Sequence, residues 1–127
     1  MLFRSFLADP RDTTSPRALA LLYFKMMSGH LLELQHTSFL LDLMRRTKTG
    51  LDRLNGGMQA GWTFAHRGGQ FRTVNGVTAV YNDSGLASHK SGARIVIVVL
   101  IEGATIEVAK LSKFNRNIAK IVLESWS

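Results

Sequence analysis

Residues 47–86 read TKTGLDRLNGGMQAGWTFAHRGGQFRTVNGVTAVYNDSGL, and the change of pattern within them indicates where a sheet begins. Glycines interrupt its first part, and from Trp62 onward large apolar and β-branched residues take over. This residue pattern predicts strands over residues 62–67 and 76–81, followed by a turn at residues 82–85. A third strand is predicted over residues 95–101, whose unbroken apolar run indicates a strand that is covered on both faces.

Helical patterns flank these strands on both sides. Ser15 suits the N-cap of a first helix, Pro16 suits its first position, and Gly29 marks its C-terminal stop. Its apolar stripe consists of Leu19, Leu22, Tyr23 and Met26. A second helix is predicted over residues 34–46, and a third runs from a cap at Thr105 to about residue 126. The order of elements predicts an α+β fold with a three-stranded antiparallel meander.

The composition excludes several classes of protein. A length of 127 residues fits one packing unit, and the absence of cysteine excludes disulfides and thiolate metal sites. The four histidines lack metal-ligand spacing, so we expect no metal. The longest apolar run has seven residues, too few to span a membrane, and no signal peptide is readable at the start. The net charge of +7 is spread along the chain without a nucleic-acid recognition motif, so we expect no specific nucleic-acid partner.

Two arginines are candidate anion-binding groups. In His66-Arg67-Gly68-Gly69, the two glycines would let a ligand approach the backbone, and Arg67 could pair with an anion. A simple turn at the end of a strand explains the same residues. Arg53 is a second candidate, and an ordinary surface arginine is the alternative.

The blocks TGLDRL, GWTFAHRGG and NGVTAVYNDSG resemble the C-terminal half of class A serine β-lactamases, where the corresponding patterns are TGxxRL, GWxxAHKTG and NGxTAxxNDxG. Upstream, RDTTSPRALALLYFKMMSGHLL is similar to the exit of that family's Ω loop and the helix after it. The resemblance implies a partial β-lactamase-like fold, in which a three-stranded antiparallel sheet is packed by a C-terminal helix and joined by helices from the end of the helical subdomain. It divides a single unit, residues 1–127, into an Ω-loop remnant (1–14), a helical part (15–60) and a part with the strands and terminal helix (61–127).

The family's chemistry uses an SxxK nucleophile motif, an SDN loop, an Ω-loop glutamate and a K[ST]G strand. The first three are absent from this sequence, so we assign no catalytic residue and expect no cofactor. A literal Lys-Ser-Gly occurs at residues 90–92, but it lies more than twenty residues after the GWxxAH block and matches a variable hairpin turn instead.

The resemblance implies a set of substrate-binding residues. Arg67, Gly68 and Gly69 stand where the family has Lys-Thr/Ser-Gly, so the charge is kept and the hydroxyl is lost. Gln70 stands where a backbone N–H contributes to the oxyanion hole. Arg53 matches the arginine that reaches the substrate carboxylate in some members.

Two functional hypotheses follow. The first is a truncated β-lactamase-like hydrolase without activity of its own, whose family binds a β-lactam or a peptidoglycan-like small molecule. The second is a non-catalytic interaction module on the same half-fold. The strand at residues 95–101 would present an unpaired apolar edge, so we expect self-association. The family is periplasmic or secreted, but without a readable signal peptide the sequence predicts no localisation.

Overall fold

The computed structural model of the chain describes residues 8–126 and contains helices and strands in the α+β order that the sequence predicts. The α-helices among these residues are α1 (Pro16–Met27), α2 (Leu34–Arg45) and α3 (Val108–Glu124). The strands are β1 (Trp62–Gln70), β2 (Thr73–Val74), β3 (Val77–His89), β4 (Arg94–Val99) and β5 (Glu102–Ala104). Short 3₁₀ helices occur at Pro10–Asp12 and Leu54–Gly57.

The long strand β3 is the centre of an antiparallel sheet. β1 pairs with one side of β3 along all nine of its residues, and β4 pairs with the other side. The three long strands therefore form the predicted meander. Within residues 8–126, β1 and β4 have no further strand on their outer sides.

Two short strands, β2 and β5, pair with the first residues of β3. The turn between β2 and β3 is formed by Asn75 and Gly76, which both have positive φ (50° and 74°). This is the conformation of two-residue hairpin turns, whose twist matches that of the flanking strands.

The turn predicted at residues 82–85 is wrong. These residues lie in the middle of β3, where β1 and β4 pair with them on either side. Asn82 Oδ1 accepts a bond from the Ile101 N–H at 2.8 Å, and the fully buried Asp83 accepts bonds from the N–H groups of Leu54 and Ser84. Residue types that favour turns stay in the strand because their polar side chains have partners there.

The cap predicted at Thr105 is also wrong. The chain stays extended through β5, which ends only at Ala104, so Thr105 is too close to the sheet to begin a helix. Glu107 is the N-cap residue of α3, with extended backbone angles (φ −60°, ψ 143°). The predicted third strand is likewise shorter than expected and ends at Val99.

The sheet separates two apolar clusters, one beneath α3 and one beneath α1 and α2. β4 contributes Ile97 and Val99 to the first, and Val96 and Val98 to the second, so both of its faces are covered as predicted. The buried members of the first cluster are Leu54, Phe64, Ala87, Ile97, Val99, Ala119 and Leu123. Those of the second are Tyr23, Met26, Leu41, Ala65 and Leu86.

Helix α1 begins as predicted. The Ser15 hydroxyl accepts the Ala18 N–H at 3.1 Å, and Pro16 occupies the first position. Of the predicted stripe, Leu19, Tyr23 and Met26 pack against the sheet, but Leu22 is half exposed.

The predicted Ω-loop remnant is only partly described, because residues 1–7 lie outside the described residues. Its remaining part holds the 3₁₀ helix Pro10–Asp12, in which the Asp9 carboxylate accepts the Arg11 N–H. The hydrogen bonds from the Arg11 side chain, and secondarily this backbone bond, lower the pKa of Asp9. No helix within residues 8–126 is long and apolar enough to cross a membrane.

Candidate functional site

The site is built on one face of the sheet. Side chains alternate along a strand and cross-strand partners share a face, so Gly68 and Gln70 of β1 lie on the same face as Tyr81 and Asp83 of β3. Arg53, from the segment between α2 and β1, lies across this face.

Arg53 is buried, with 8% of its surface exposed, which excludes the ordinary surface arginine allowed by the sequence. Its Nη1 donates to the Asn82 carbonyl at 2.9 Å, and its Nη2 donates to Gln70 Oε1 at 2.7 Å. The guanidinium carbon lies 4.2 Å from the centre of the Tyr81 ring. Nε is buried without a partner, and no carboxylate of the described chain forms a salt bridge with the side chain.

Gly68 makes room for this arginine. A Cβ at Gly68 would lie 2.8 Å from Arg53 Nη1, closer than non-bonded atoms normally approach. At Gly69, by contrast, a Cβ would meet nothing within 4 Å. The glycine at the second position of Arg67-Gly68-Gly69 and the guanidinium therefore fit each other.

Asp83 fixes the backbone next to Arg53. Its Oδ2 accepts the Leu54 N–H at 3.1 Å, and its Oδ1 accepts the Ser84 N–H at 3.0 Å. The Nδ1 of the buried His66 lies 3.3 Å from the same Oδ1. The residue that follows Arg53 is thus tied to the centre of the sheet.

A second chain of hydrogen bonds ties this segment to α3. Ser112 donates to Asp52 Oδ2 at 2.7 Å, so its single proton is used and the Tyr81 hydroxyl is the donor to Ser112. The bond from Ser112 lowers the pKa of Asp52. Asp52 is therefore held as a carboxylate beside α3 and does not neutralise Arg53 by direct contact.

Arg67 lies on the opposite face of β1. It lines a cavity of about 230 Å³ between α1 and α2, together with apolar side chains and Tyr23. Burial raises the pKa of Tyr23, whose hydroxyl lies 3.0 Å from Ser84 Oγ. Arg67 is exposed and has no acidic partner within the described residues.

Arg53 and Arg67 both lie at β1, but on opposite faces of the sheet. Because no other strand of the described residues lies on the outer side of β1, a ligand lying along that edge could be approached by Arg53 from one face and by Arg67 from the other. Gly69 and Gln70 lie on this edge strand, and the Gln70 side chain is exposed. Arg67-Gly68-Gly69 is therefore part of a strand, not a turn at its end.

The literal Lys-Ser-Gly lies in the hairpin between β3 and β4, as its sequence context predicts. There the His89 ring contacts Trp62, and its Nδ1 lies 2.8 Å from Ser91 Oγ. Among residues 8–126, no three histidine or acidic side chains lie close enough to hold a metal ion.

Sequence reasoning missed the residues that hold Arg53 in place. The sequence pattern predicts Tyr81 only as part of a strand, and it predicts Asn82 and Asp83 only as part of a turn. The available signal was the NDxG block of the resemblance, which marks these positions but gives them no role.

The fold matches solved β-lactamases. The crystal structure of a β-lactamase from Chitinophaga pinensis aligns with a TM-score of 0.85 and 29% identity, over 90% of this chain and 42% of that chain. A mutant of PBP-A, solved as an acyl-enzyme complex with penicillin G, aligns with a TM-score of 0.75 and 31% identity, over 89% of this chain and 40% of that chain. The partial β-lactamase-like fold is thereby confirmed.

Comparison of the amino-acid sequence with known proteins also indicates the β-lactamase family. A model described as the beta-lactamase enzyme family matches residues 3–126, so the chain belongs to that family. Beta-lactamase FAR-1 of Nocardia farcinica is 33% identical over 92 residues, which are 72% of this chain and 28% of that protein. A β-lactamase of Mycobacterium tuberculosis is 31% identical over 80 residues, 61% of this chain and 26% of that protein. The chain thus spans about a quarter of the length of these curated relatives.

Proposed function

We propose that the chain forms the carboxylate-binding side of a β-lactamase-like site. Its ligand is a β-lactam or a peptidoglycan-like small molecule with a free carboxylate. The observation that carries this proposal is the buried Arg53, a cation that forms no salt bridge with any carboxylate of the described residues and fits against Gly68. The related PBP-A mutant in complex with penicillin G supports this class of ligand.

Each residue has a distinct part in the proposed site. Arg53 supplies the positive charge from one face of β1, and Arg67 supplies a second charge from the other. Gly69 and Gln70 supply the edge backbone along which the ligand lies. Because Gly68 carries no hydroxyl, the charge-assisted bonds from the arginines must orient the carboxylate.

We further propose that these 127 residues do not hydrolyse β-lactams by themselves. An acyl-enzyme needs an activated serine, and no serine in the sequence is followed three residues later by lysine. The chain therefore binds such a ligand reversibly.

Two measurements on the purified chain test this. Intact-protein mass spectrometry after incubation with benzylpenicillin should show no added mass, and nitrocefin should be hydrolysed at the rate of buffer alone. Isothermal titration with benzylpenicillin should show reversible binding that weakens about tenfold or more in Arg53→Gln, because a bond to a charged group is lost. The matched control is Arg45→Gln, at an exposed arginine near the end of α2.

A stable mass increase equal to the drug would contradict the absence of acylation. Equal affinities of Arg53→Gln and the unmodified chain would contradict the assignment of Arg53.

A second candidate is a non-catalytic interaction module that binds another copy of the chain. The observation that favours it is the outer side of β4, which no strand within residues 8–126 pairs, together with half-exposed large apolar residues on α1 such as Leu21 and Phe24. The two candidates can be distinguished experimentally. Binding of a carboxylate ligand requires Arg53, whereas association with another copy of the chain does not.

A further inference from the structure

We propose that the Gln70 side chain is a built-in competitor for the anion site, so that a ligand carboxylate binds Arg53 by displacing Gln70 Oε1. This inference rests on the carboxylate-binding function proposed above and deepens it. It assigns to Gln70 a side-chain role, separate from the backbone N–H that the family resemblance implies.

The hydrogen-bond partners of the Arg53 guanidinium determine which of its nitrogens a ligand can reach. Of its three nitrogen atoms, Nη1 is bonded to the Asn82 carbonyl and Nε is buried without a partner. Nη2 is bonded to Gln70 Oε1 at 2.7 Å. Nη2 carries a second N–H, but Arg53 is buried and this contact is with an exposed side chain, so a carboxylate arriving from solvent on that side takes the position of the amide oxygen.

The two existing partners differ in how easily they can leave. The Asn82 carbonyl belongs to the backbone of β3, which is paired on both sides, so moving it would disturb the sheet. Gln70 is the last residue of β1 and its side chain is exposed, so its amide can rotate into solvent. The Gln70 contact is the exchangeable one.

Replacing Gln70 Oε1 with a ligand carboxylate on Arg53 lowers the free energy. The guanidinium donor is charged in both bonds, but the amide oxygen of Gln70 is neutral and a ligand carboxylate is negative, so the carboxylate adds the attraction between opposite charges. Until a ligand arrives, Gln70 satisfies the buried donor, which would otherwise cost free energy. The same contact lowers the apparent affinity, because each binding event must first break it.

Three variants of the full chain and one pair of ligands test the proposal. Gln70→Ala removes the competing oxygen, and Gln70→Glu replaces it with a carboxylate that remains on Arg53. The matched control is Thr63→Ala, at an exposed residue of the same strand. Affinities for benzylpenicillin and for its methyl ester, which lacks the negative charge, are measured by isothermal titration, with folding checked by circular dichroism.

We expect Gln70→Ala to bind benzylpenicillin between about tenfold and a hundredfold more tightly than the unmodified chain, the range that one hydrogen bond to a charged group gives. Gln70→Glu should show no binding at the concentration that half-saturates the unmodified chain. The methyl ester should show no gain with Gln70→Ala, since its uncharged group cannot replace the lost contact as a carboxylate does.

The outcomes distinguish a failure of the Gln70 exchange from a failure of the carboxylate site. If the unmodified chain binds and Gln70→Ala binds equally, or if the ester gains as much as the acid, Gln70 does not compete and only the further inference is overturned. If neither the unmodified chain nor Gln70→Ala binds benzylpenicillin, the carboxylate site itself is overturned.

Discussion

At the scale of single residues, the arrangement around Arg53 explains how a cation can be buried without an acidic partner. Removing a charge from water is costly unless hydrogen bonds replace the lost hydration. Here a backbone carbonyl, an amide oxygen and the Tyr81 ring share that task. None of these groups is negative, and Asp52 attracts the guanidinium electrostatically without a salt bridge, so no carboxylate of the described residues occupies its hydrogen-bonding positions.

The fit between Gly68 and Arg53 gives a first prediction. Gly68→Ala should lower the free energy of unfolding by about 1 kcal/mol, because the new Cβ displaces Nη1 from the Asn82 carbonyl. Gly69→Ala is the control and should be neutral or stabilising by up to about 1 kcal/mol, since the space is open and alanine suits a strand better than glycine. Urea denaturation at a fixed protein concentration measures both, and equal effects would contradict the proposed fit.

The buried Asp83 gives a second prediction. Asp83→Asn should lower the free energy of unfolding by about 1 to 3 kcal/mol, because an amide has one acceptor oxygen and the N–H groups of Leu54 and Ser84 need two. Asp42→Asn, on the exposed surface of α2, should change it by less than about 0.5 kcal/mol. A loss for Asp83→Asn as small as that of the control would show that the buried carboxylate does not anchor the loop.

At the scale of elements, local patterns predict those parts of the fold that local chemistry determines. The start of α1 follows from Ser15 and Pro16, whose capping geometry needs no distant partner. The apolar pattern of β4 likewise reflects the clusters on its two faces.

Distant contacts explain the parts that the sequence did not predict. Residues 82–85 have turn-forming types, but pairing with β1 and β4 and the bonds of Asp83 hold them in a strand. The burial of Arg53 depends on Tyr81 and Gln70, which are 28 and 17 residues away in the sequence and meet it only after β1 and β3 pair. The family resemblance supplied the identity of Arg53 as a site residue, whereas its partners became visible only in the fold.

The contact between Asp52 and α3 gives a prediction about pH. The bond from Ser112 lowers the pKa of Asp52, so its contribution to stability is complete above the unfolded value of about 3.9 and is lost as pH falls through the lower folded value. Asp52→Asn should therefore be less stable than the unmodified chain at pH 7, by at most about 1 kcal/mol given its exposure, and the difference should vanish at acidic pH. In Ser112→Ala, the free energy of unfolding should depend less on pH over the same acidic range. A difference that stays constant from pH 7 to pH 2 would exclude this contact as its cause.

At the scale of the whole molecule, the sheet is covered on both faces but not along its edges. Within residues 8–126, β1 and β4 each pair with β3 alone. Large apolar side chains are also exposed on the helices, including Leu34 (81% exposed) and Phe39 (63%) on α2. Surfaces of this kind are typical of a region that another polypeptide segment covers.

The unpaired edge of β4 gives the last prediction. Its residues 95–99 are apolar throughout, and Arg94 and Glu102 place charges only at or beyond its ends, so nothing along the edge opposes pairing with another chain. The 127-residue chain produced by itself should therefore elute as a dimer or larger species in size-exclusion chromatography with light scattering. Val96→Lys places a charge on the edge strand and should shift the chain toward monomer, whereas Leu34→Lys on α2 should not. Because Val96 also packs against the cluster beneath α1 and α2, circular dichroism must show that this variant keeps the fold. A monomer mass for the unmodified chain, together with a sharp thermal transition, would show that the edge is protected; a shift caused only by Leu34→Lys would place the contact on the helices instead.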